Sequence, residues 1–336
     1  MPLKIGLGPF SGQVAPGAAR TFHEEYNDLL KLAALADEQG YDSVWLSEHH
    51  GADDGYMPSS IVILAAMAAV TKRIQLGTAV TLAPFQHPLR FAEDCAVVDQ
   101  ISGGRLTVGL APGWRRDEFR SFGIPFQQRI QRTVELIQVC RMAWSEPRFS
   151  FAGRIYSYDN AAITPKPAHA LHVLMGASVE AAAARAGRLA DGFMAARHRM
   201  ERFAELAEAF DRGARAAGRD PAALEIGFLH NVFVTSDGSI PACVAEGIQR
   251  QVVMYTRSEG DNEVEHDPRV LQSKSVLGDP AAVIAELRPW VERYGDRQLH
   301  LVVRLHYPGM TFADTAPAVE LFARSVMPTL RALAGD

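Results

Sequence analysis

Val44-Trp-Leu-Ser-Glu-His-His50 is an apolar run that ends abruptly in one carboxylate and two imidazoles. A short apolar run bounded by polar residues reads as a buried strand of a parallel sheet. Polar groups at the C-terminal end of such a strand face the mouth of a sheet or barrel. In a (β/α)8 barrel that is where active sites are built. Glu48, His49 and His50 therefore point to chemistry at the end of a second strand, Asp42–Leu46.

Working outward, strands and helices alternate. Leu3–Leu7 reads as a first strand, and Tyr26–Gln39 as a helix with Leu29, Leu32, Ala33 and Ala36 on one face, stopped by Gly40. Ser59 or Ser60 starts a helix through Val70, Ile74–Thr81 is a third strand, Pro88–Ile101 a helix, and Leu106–Leu110 a fourth strand after the Gly103-Gly104 turn. Further on come a helix over Gln128–Trp144, strands at Leu171–Met175, Asp191–Ala195, Leu224–Val234 and Gln298–Arg304, and helices at Val179–Ala190, Glu201–Ala217, Ile240–Tyr255, Asp279–Arg293 and Ala316–Leu333. About eight βα units predict a single (β/α)8 TIM barrel over residues 1–336. A doubly wound sheet is the alternative, and no GxGxxG follows the first strand to support it. Two stretches break the alternation. About 145–168 is an irregular or β-rich insertion. Thr256–Lys274, with Gly260, Asn262 and Pro268, has no clear period, and a loop of this length inside a compact domain reads as a mobile lid or a disordered insert.

Composition narrows the function classes. The 336 residues are 48% hydrophobic and 22% charged, with a formal net charge of −5, which offers nothing to nucleic acid or an anionic membrane. Three cysteines, Cys95, Cys140 and Cys243, have no CxxC spacing, so neither a zinc site nor a dithiol motif is expected. No signal peptide or spanning segment is visible, and the sparse cysteines fit a reducing compartment, so a cytoplasmic location is expected.

For Glu48, His49 and His50 the competing readings are a buried polar cluster that satisfies loop backbone and a general acid–base group, since histidine titrates near neutral pH. No metal is expected there, because Asp53 and Asp54 lack a clear third-ligand spacing. His306, at the end of the last strand, reads either as a substrate contact or as a satisfied structural histidine.

Phe91-Ala-Glu-Asp-Cys-Ala-Val-Val-Asp-Gln-Ile-Ser-Gly-Gly-Arg105, followed by Leu106-Thr-Val-Gly-Leu-Ala-Pro-Gly-Trp114, resembles the signature of the bacterial-luciferase-like flavin monooxygenases. Tyr41–His50, Gly77–Pro84, His87-Pro88 and Val326-Met-Pro328 are similar to further parts of that family, densely over residues 1–125, recognisably over 165–195 and 276–333, and poorly between. The resemblance implies a luciferase-like barrel that binds reduced FMN or, in one branch, the deazaflavin F420, with His49 matching the family's catalytic histidine.

Other residues follow from the same resemblance. Ala79-Val80 matches a place where the family often has a non-proline cis peptide under the flavin ring; small residues of an inner strand are the competing reading. Ala111 and Pro112 stand where bacterial luciferase has a cysteine and an arginine, so the phosphate must be held elsewhere. Gly113 lies in the same turn, and Trp114 either walls the substrate pocket or covers the barrel rim. Gly176, Ala177 and Ser178, between strand and helix, match the family's phosphate region, where N–H groups at a helix N-terminus and a hydroxyl suit an anion; a simple N-cap at Ser178 is compatible with that. Arg129 is similar in placement to a family arginine that reaches the phosphate, with Arg132 as competitor and a solvated helix face as the plain reading.

The function this implies is an FMN-dependent monooxygenase acting with O2 on a small organic substrate. Reduced flavin would come from a separate NAD(P)H:flavin reductase, and the barrels would pair as a homodimer through helices near the second and third strands. An F420-dependent hydride-transfer oxidoreductase ranks second, because Glu-His-His resembles the FMN branch more than the Asp-His form common in the F420 branch. A non-catalytic flavin-binding barrel and a hydrolase or metal-dependent barrel complete the alternatives.

Overall fold

The structure, a computed structural model, describes residues 3–196, 199–256 and 275–335, with side chains left aside at 252–256. The barrel strands are β1 (Lys4–Phe10), β2 (Ser43–Leu46), β3 (Gln75–Thr78), β4 (Leu106–Ala111), β5 (His172–Gly176), β6 (Gly192–Ala196), β7 (Glu225–Val234) and β8 (Gln298–Arg304). Each pairs in parallel with the next, and β8 returns to β1, so the sheet closes into a TIM barrel of eight strands. The helices that follow these strands are α1 (Phe22–Glu38), α2 (Ser60–Val70), α3 (Pro88–Ser102), α4 (Arg129–Ser145), α5 (Glu180–Leu189), α6 (Met200–Ala216), α7 (Ala242–Thr256) and α8 (Phe312–Ser325). No helix among the described residues is long and apolar enough to cross a membrane.

Alternation along the strands sorts the barrel interior into levels. At the base, Lys4, Ser43, His172, Glu225 and His300 form a polar network: Glu225 bonds His300 Nδ1 at 3.0 Å and Lys4 Nζ at 3.0 Å, and His300 Nε2 meets Ser43 Oγ at 2.7 Å. Further along the strands, Trp45, Leu174, Met194, Leu229 and Val302 pack into an apolar plug. Trp45 fits because its neighbours are Gly6 and Gly77; a Cβ at either would overlap the indole. Two residues further again, the same inward faces carry Ala79, Ala111, Gly176, Ala196, Asn231 and Arg304. The plug closes the barrel, and the small residues above it leave a hollow at the C-terminal mouth.

Two expectations need correction, two elements had no forecast, and the insertion near 145–168 is β-rich as expected. The third strand is shorter than Ile74–Thr81: Thr78 Oγ1 takes the place of ladder bonds to Gly109, donating to its carbonyl at 2.8 Å and accepting its N–H at 2.9 Å, and Thr81–Leu82 then pairs with β4. The closing helix Ala316–Leu333 is two helices. The first starts earlier, at a capping box of Thr311 and Asp314, and the second is Met327–Leu333, whose Pro328 suits a first turn. A six-residue helix, Arg116–Ser121, and a strand, Ser275–Gly278 beside β7, had no forecast. The insertion near 145–168 contains an antiparallel hairpin, Phe149–Ala152 with Ser157–Ala161, tied to α4 by Glu135, which accepts the N–H groups of Arg154, Ile155 and Tyr156. The lid expected at 256–274 lies outside the described residues, apart from Thr256 at the end of α7.

Candidate active site

The loop after β2 carries Glu48, His49 and His50 into the mouth, and the three do different work. His49 is buried, and its Nδ1 lies 2.9 Å from Glu118 Oε1. The same oxygen accepts the backbone N–H of His50 at 2.9 Å, while Glu118 Oε2 is buried and makes no hydrogen bond among the described residues. The imidazole stands edge-on to Tyr56 and Trp114, with ring centroids 4.8 and 6.1 Å away. A carboxylate fixed on Nδ1 sets the tautomer and orientation of a histidine. The arrangement orients an imidazole at a largely aromatic wall, a placement that suits a general base.

Glu48 is a structural knot. Its two oxygens accept Ser60 Oγ at 2.7 Å and the Leu82 N–H at 3.0 Å, joining α2 and the segment after β3 to the β2 loop. Ser60 is thereby drawn inward, and Ser59, at the N-cap of α2, makes no side-chain cap. His50 Nε2 reaches Glu48 at 3.3 Å, and its ring packs on Phe85 and Phe122. Glu48 and His50 thus anchor the loop that presents His49.

The cofactor candidates separate as clearly. Ala79, Ala111 and Gly176 line the hollow, and the Ala79–Val80 peptide is cis. A Cβ on Gly176 would stand 3.3 Å from both Ala111 Cβ and Val80 Cγ1, so Gly176, Ala111 and the Ala79–Val80 segment form one continuous floor. Gly113 is buried behind it: its φ of 71° is a left-handed turn, and its Cα faces Phe119. Ala177 spends its N–H on Met194 O at 3.0 Å, and is therefore no phosphate donor through that group. Ser178 is exposed and caps nothing, because Val179 occupies the N-cap of α5.

Arg129 belongs to a cationic group that the sequence reading saw only in part. Arg129 and Arg116 both pack on the Phe126 ring, at 4.0 and 4.3 Å from its centroid. Burial, and then Arg116, push the Arg129 guanidinium below its ordinary value; burial, Arg188 and Arg129 do the same to Arg185 on α5. Like charges held together disfavour one another, and such a cluster suits an anion. Arg132 instead bonds Gln128 and Tyr156 OH.

His306 does not join the mouth. Its ring nitrogens meet Thr315 Oγ1 at 2.8 Å and Glu25 Oε1 at 3.3 Å, so it fastens β8 to α1 and α8. The residue of its strand that does face the hollow is Arg304. Among the described residues no group of three or more histidines, cysteines or carboxylates is placed to hold a metal.

Residues 7–297 match the family described as luciferase-like monooxygenase. The chain belongs to that family. It is an enzyme of the luciferase-like oxidoreductases. Among relatives, the F420-dependent glucose-6-phosphate dehydrogenase of Kineococcus radiotolerans is 28% identical, with 98% of each chain covered. Among solved structures, monooxygenase RslO1 from Streptomyces bottropensis superposes with a TM-score of 0.82 at 27% identity, covering 97% of this luciferase-like chain and 99% of that one. An F420-dependent secondary alcohol dehydrogenase superposes with a TM-score of 0.78 at 21% identity, covering 98% and 100%. These findings correct the expected ranking. The FMN-dependent monooxygenase, with its O2 and separate reductase, was placed first on the Glu-His-His form, yet relatives that match this luciferase-like chain end to end by sequence are named F420-dependent dehydrogenases. The Glu of that form fastens a loop, and so says little about which ring lies above it.

Proposed function

We propose that this protein is an F420-dependent dehydrogenase that oxidises a small organic alcohol, or reduces the matching carbonyl compound, by hydride transfer. The observation that carries the reading is the end-to-end match to relatives named F420-dependent. The residues present fit such a cofactor. Ala79, Ala111 and Gly176 form a floor low enough for a flat ring, and Arg129, with Arg116 and Arg185 nearby, offers cations to a phosphate or to further acidic groups. When bound, F420 supplies a deazaflavin ring that takes up or gives back a hydride. His49 does the protein's share. With Nδ1 held by Glu118, the neutral ring has Nε2 as its base, which takes the proton an alcohol loses on oxidation and returns it in reverse. The Glu118 carboxylate balances the imidazolium that results.

The test is fluorescence titration of the purified protein with F420 and with FMN. F420 is expected to bind at least tenfold tighter; tighter binding of FMN would overturn the reading. Arg129→Ala should weaken F420 roughly tenfold, as loss of a charge-assisted hydrogen bond does, and leave the phosphate-free deazaflavin riboside unchanged. Equal weakening of both would remove Arg129 from the phosphate. Glucose 6-phosphate and a panel of small alcohols are then tried as substrates.

A homodimer belongs to the same proposal. α2 is apolar nearly all round, and Val62 is 64% exposed, with Val70 on the same helix and Val97 and Ile101 on α3 also exposed. Exposed apolar groups on two adjacent helices favour a covered face. Sedimentation velocity should give a dimer for the wild type and a monomer for Val62→Glu/Ile101→Glu; a wild-type monomer would end this part of the proposal.

A further inference from the structure

Arg304 is 3% exposed, and its Nε and Nη1 have no hydrogen-bond partner among the described residues. A buried guanidinium is normally paired, because a charge removed from water without a counter-charge is strongly disfavoured. Alternation along β8 fixes where it points. His300 bonds Ser43 inside the barrel, Val302 belongs to the apolar plug, and Arg304 follows on the same face at the C-terminal mouth. Its register partner on β7 is Asn231, which is also buried and whose Oδ1 likewise has no partner among the described residues. Leu229, two residues before Asn231, is again a plug residue. Two adjacent inward side chains with unmet hydrogen-bonding capacity therefore stand over the plug. Along the rest of that rim Ala79, Ala111, Gly176 and Ala196 contribute almost no side chain.

We propose that Arg304, with Asn231 beside it, is the receptor for an anionic oxygen group of the substrate, a carboxylate or a phosphate. The proposal rests on the dehydrogenase reading for the word substrate, and on the geometry alone for the anion. His49 follows β2, and Arg304 ends β8, with only β1 between those strands. His49 lies three residues past the end of β2, so the anion seat and the base stand on the same side of the mouth at different heights. A ligand that fills both has a hydroxyl at one end and its acidic group several bonds away. Arg304 would then select for charged alcohols over neutral ones, and Asn231 would take up a polar hydrogen of the ligand or a water beside it.

The test is thermal unfolding of the wild type and of Arg304→Met, in chloride and with added acetate or inorganic phosphate at matched ionic strength. Without added anion, Arg304→Met is expected to unfold at a higher temperature than the wild type, because the change removes an unpaired buried charge and keeps the volume. Acetate or phosphate should stabilise the wild type, and the affinity drawn from that dependence should fall at least tenfold in Arg304→Met. Arg304→Lys, which keeps the charge, should retain a weakened response. A response to acetate assigns a carboxylate. A response to phosphate alone that survives Arg129→Ala and vanishes in Arg304→Met assigns a phosphate ester. If Arg304→Met unfolds earlier than the wild type and responds to both anions as the wild type does, Arg304 is structural and the proposal falls. It falls also if neither anion affects the wild type. F420 affinity of Arg304→Met should stay within threefold of wild type; a loss as large as that for the anion would hand Arg304 to the cofactor. Absence of F420 binding in the wild type, with the anion response intact, would overturn the dehydrogenase reading and leave the receptor standing.

Discussion

His49→Ala should lower kcat by about 10²- to 10⁴-fold, the range that loss of a positioned general acid–base group produces, while the dissociation constant for F420 changes less than threefold. The two halves follow from where the ring sits. His49 is presented by the loop after β2 and held at Nδ1 by Glu118 at 2.9 Å. The small-residue floor of Ala79, Ala111 and Gly176 belongs to β4, β5 and the segment after β3, and the arginine cluster lies beyond it. Truncating His49 removes a base and leaves the floor and the cations intact. The pH profile adds a signature that a packing defect would not mimic. A base must be unprotonated to act, so any acid limb of kcat/KM that comes from His49 should disappear in the variant. Unchanged turnover, or a loss of cofactor affinity as large as the loss of rate, would take His49 out of the chemistry.

The sequence drew attention to His49 because adjacent imidazoles close an apolar strand, a position that also serves structure, as His50 on Phe85 and Phe122 and His306 between Thr315 and Glu25 do. It made the barrel visible because strands buried on both faces read as apolar runs with little alternation. The remaining site residues were hidden for reasons equally physical. Glu118 stands in Arg115-Arg-Asp-Glu118, which reads as a solvated charged turn; only the short helix over Arg116–Ser121 turns its carboxylate inward to His49. Arg304 was overlooked beside His306 because a charge ending a strand is ordinary. Its isolation appears only when β8 closes against β7 and sets Asn231 beside it. Ser178 looked like a cap because serine so often is one, but α5 starts one residue later. The cofactor branch was misjudged on Glu48, whose bonds to Ser60 and Leu82 serve the loop and carry no information about the ring.

At the other end of the barrel, Glu225→Gln should destabilise the fold by about 3–5 kcal/mol at pH 7, the range for removing one partner from a buried ion pair. Glu225 is buried at the base, bonded to His300 and Lys4, with His172 3.6 Å away. Burial by itself would raise its carboxyl; His300 and then Lys4 outweigh that and hold it well below the usual carboxylate range. A carboxylate whose folded value is depressed contributes stability that is fully present above its unfolded value, about 4.3, and is lost as pH falls through the folded value. Burial, only partly offset by Glu225, holds His172 below its ordinary value. The unfolded chain therefore takes that proton first as pH falls below about 6.5, and its contribution is lost in the same direction. The difference in urea midpoint between wild type and Glu225→Gln should therefore be widest near neutrality and narrow as pH drops below about 4. A difference that stays constant down to pH 3 would mean that the substitution acts through packing, and that the charge of Glu225 is not what secures the base of the barrel. Because this network lies below the plug of Trp45, Leu174, Met194, Leu229 and Val302, the same variant should keep its F420 affinity wherever it remains folded. The base of the barrel holds the strands in register, and the mouth is left free to carry unpaired charge.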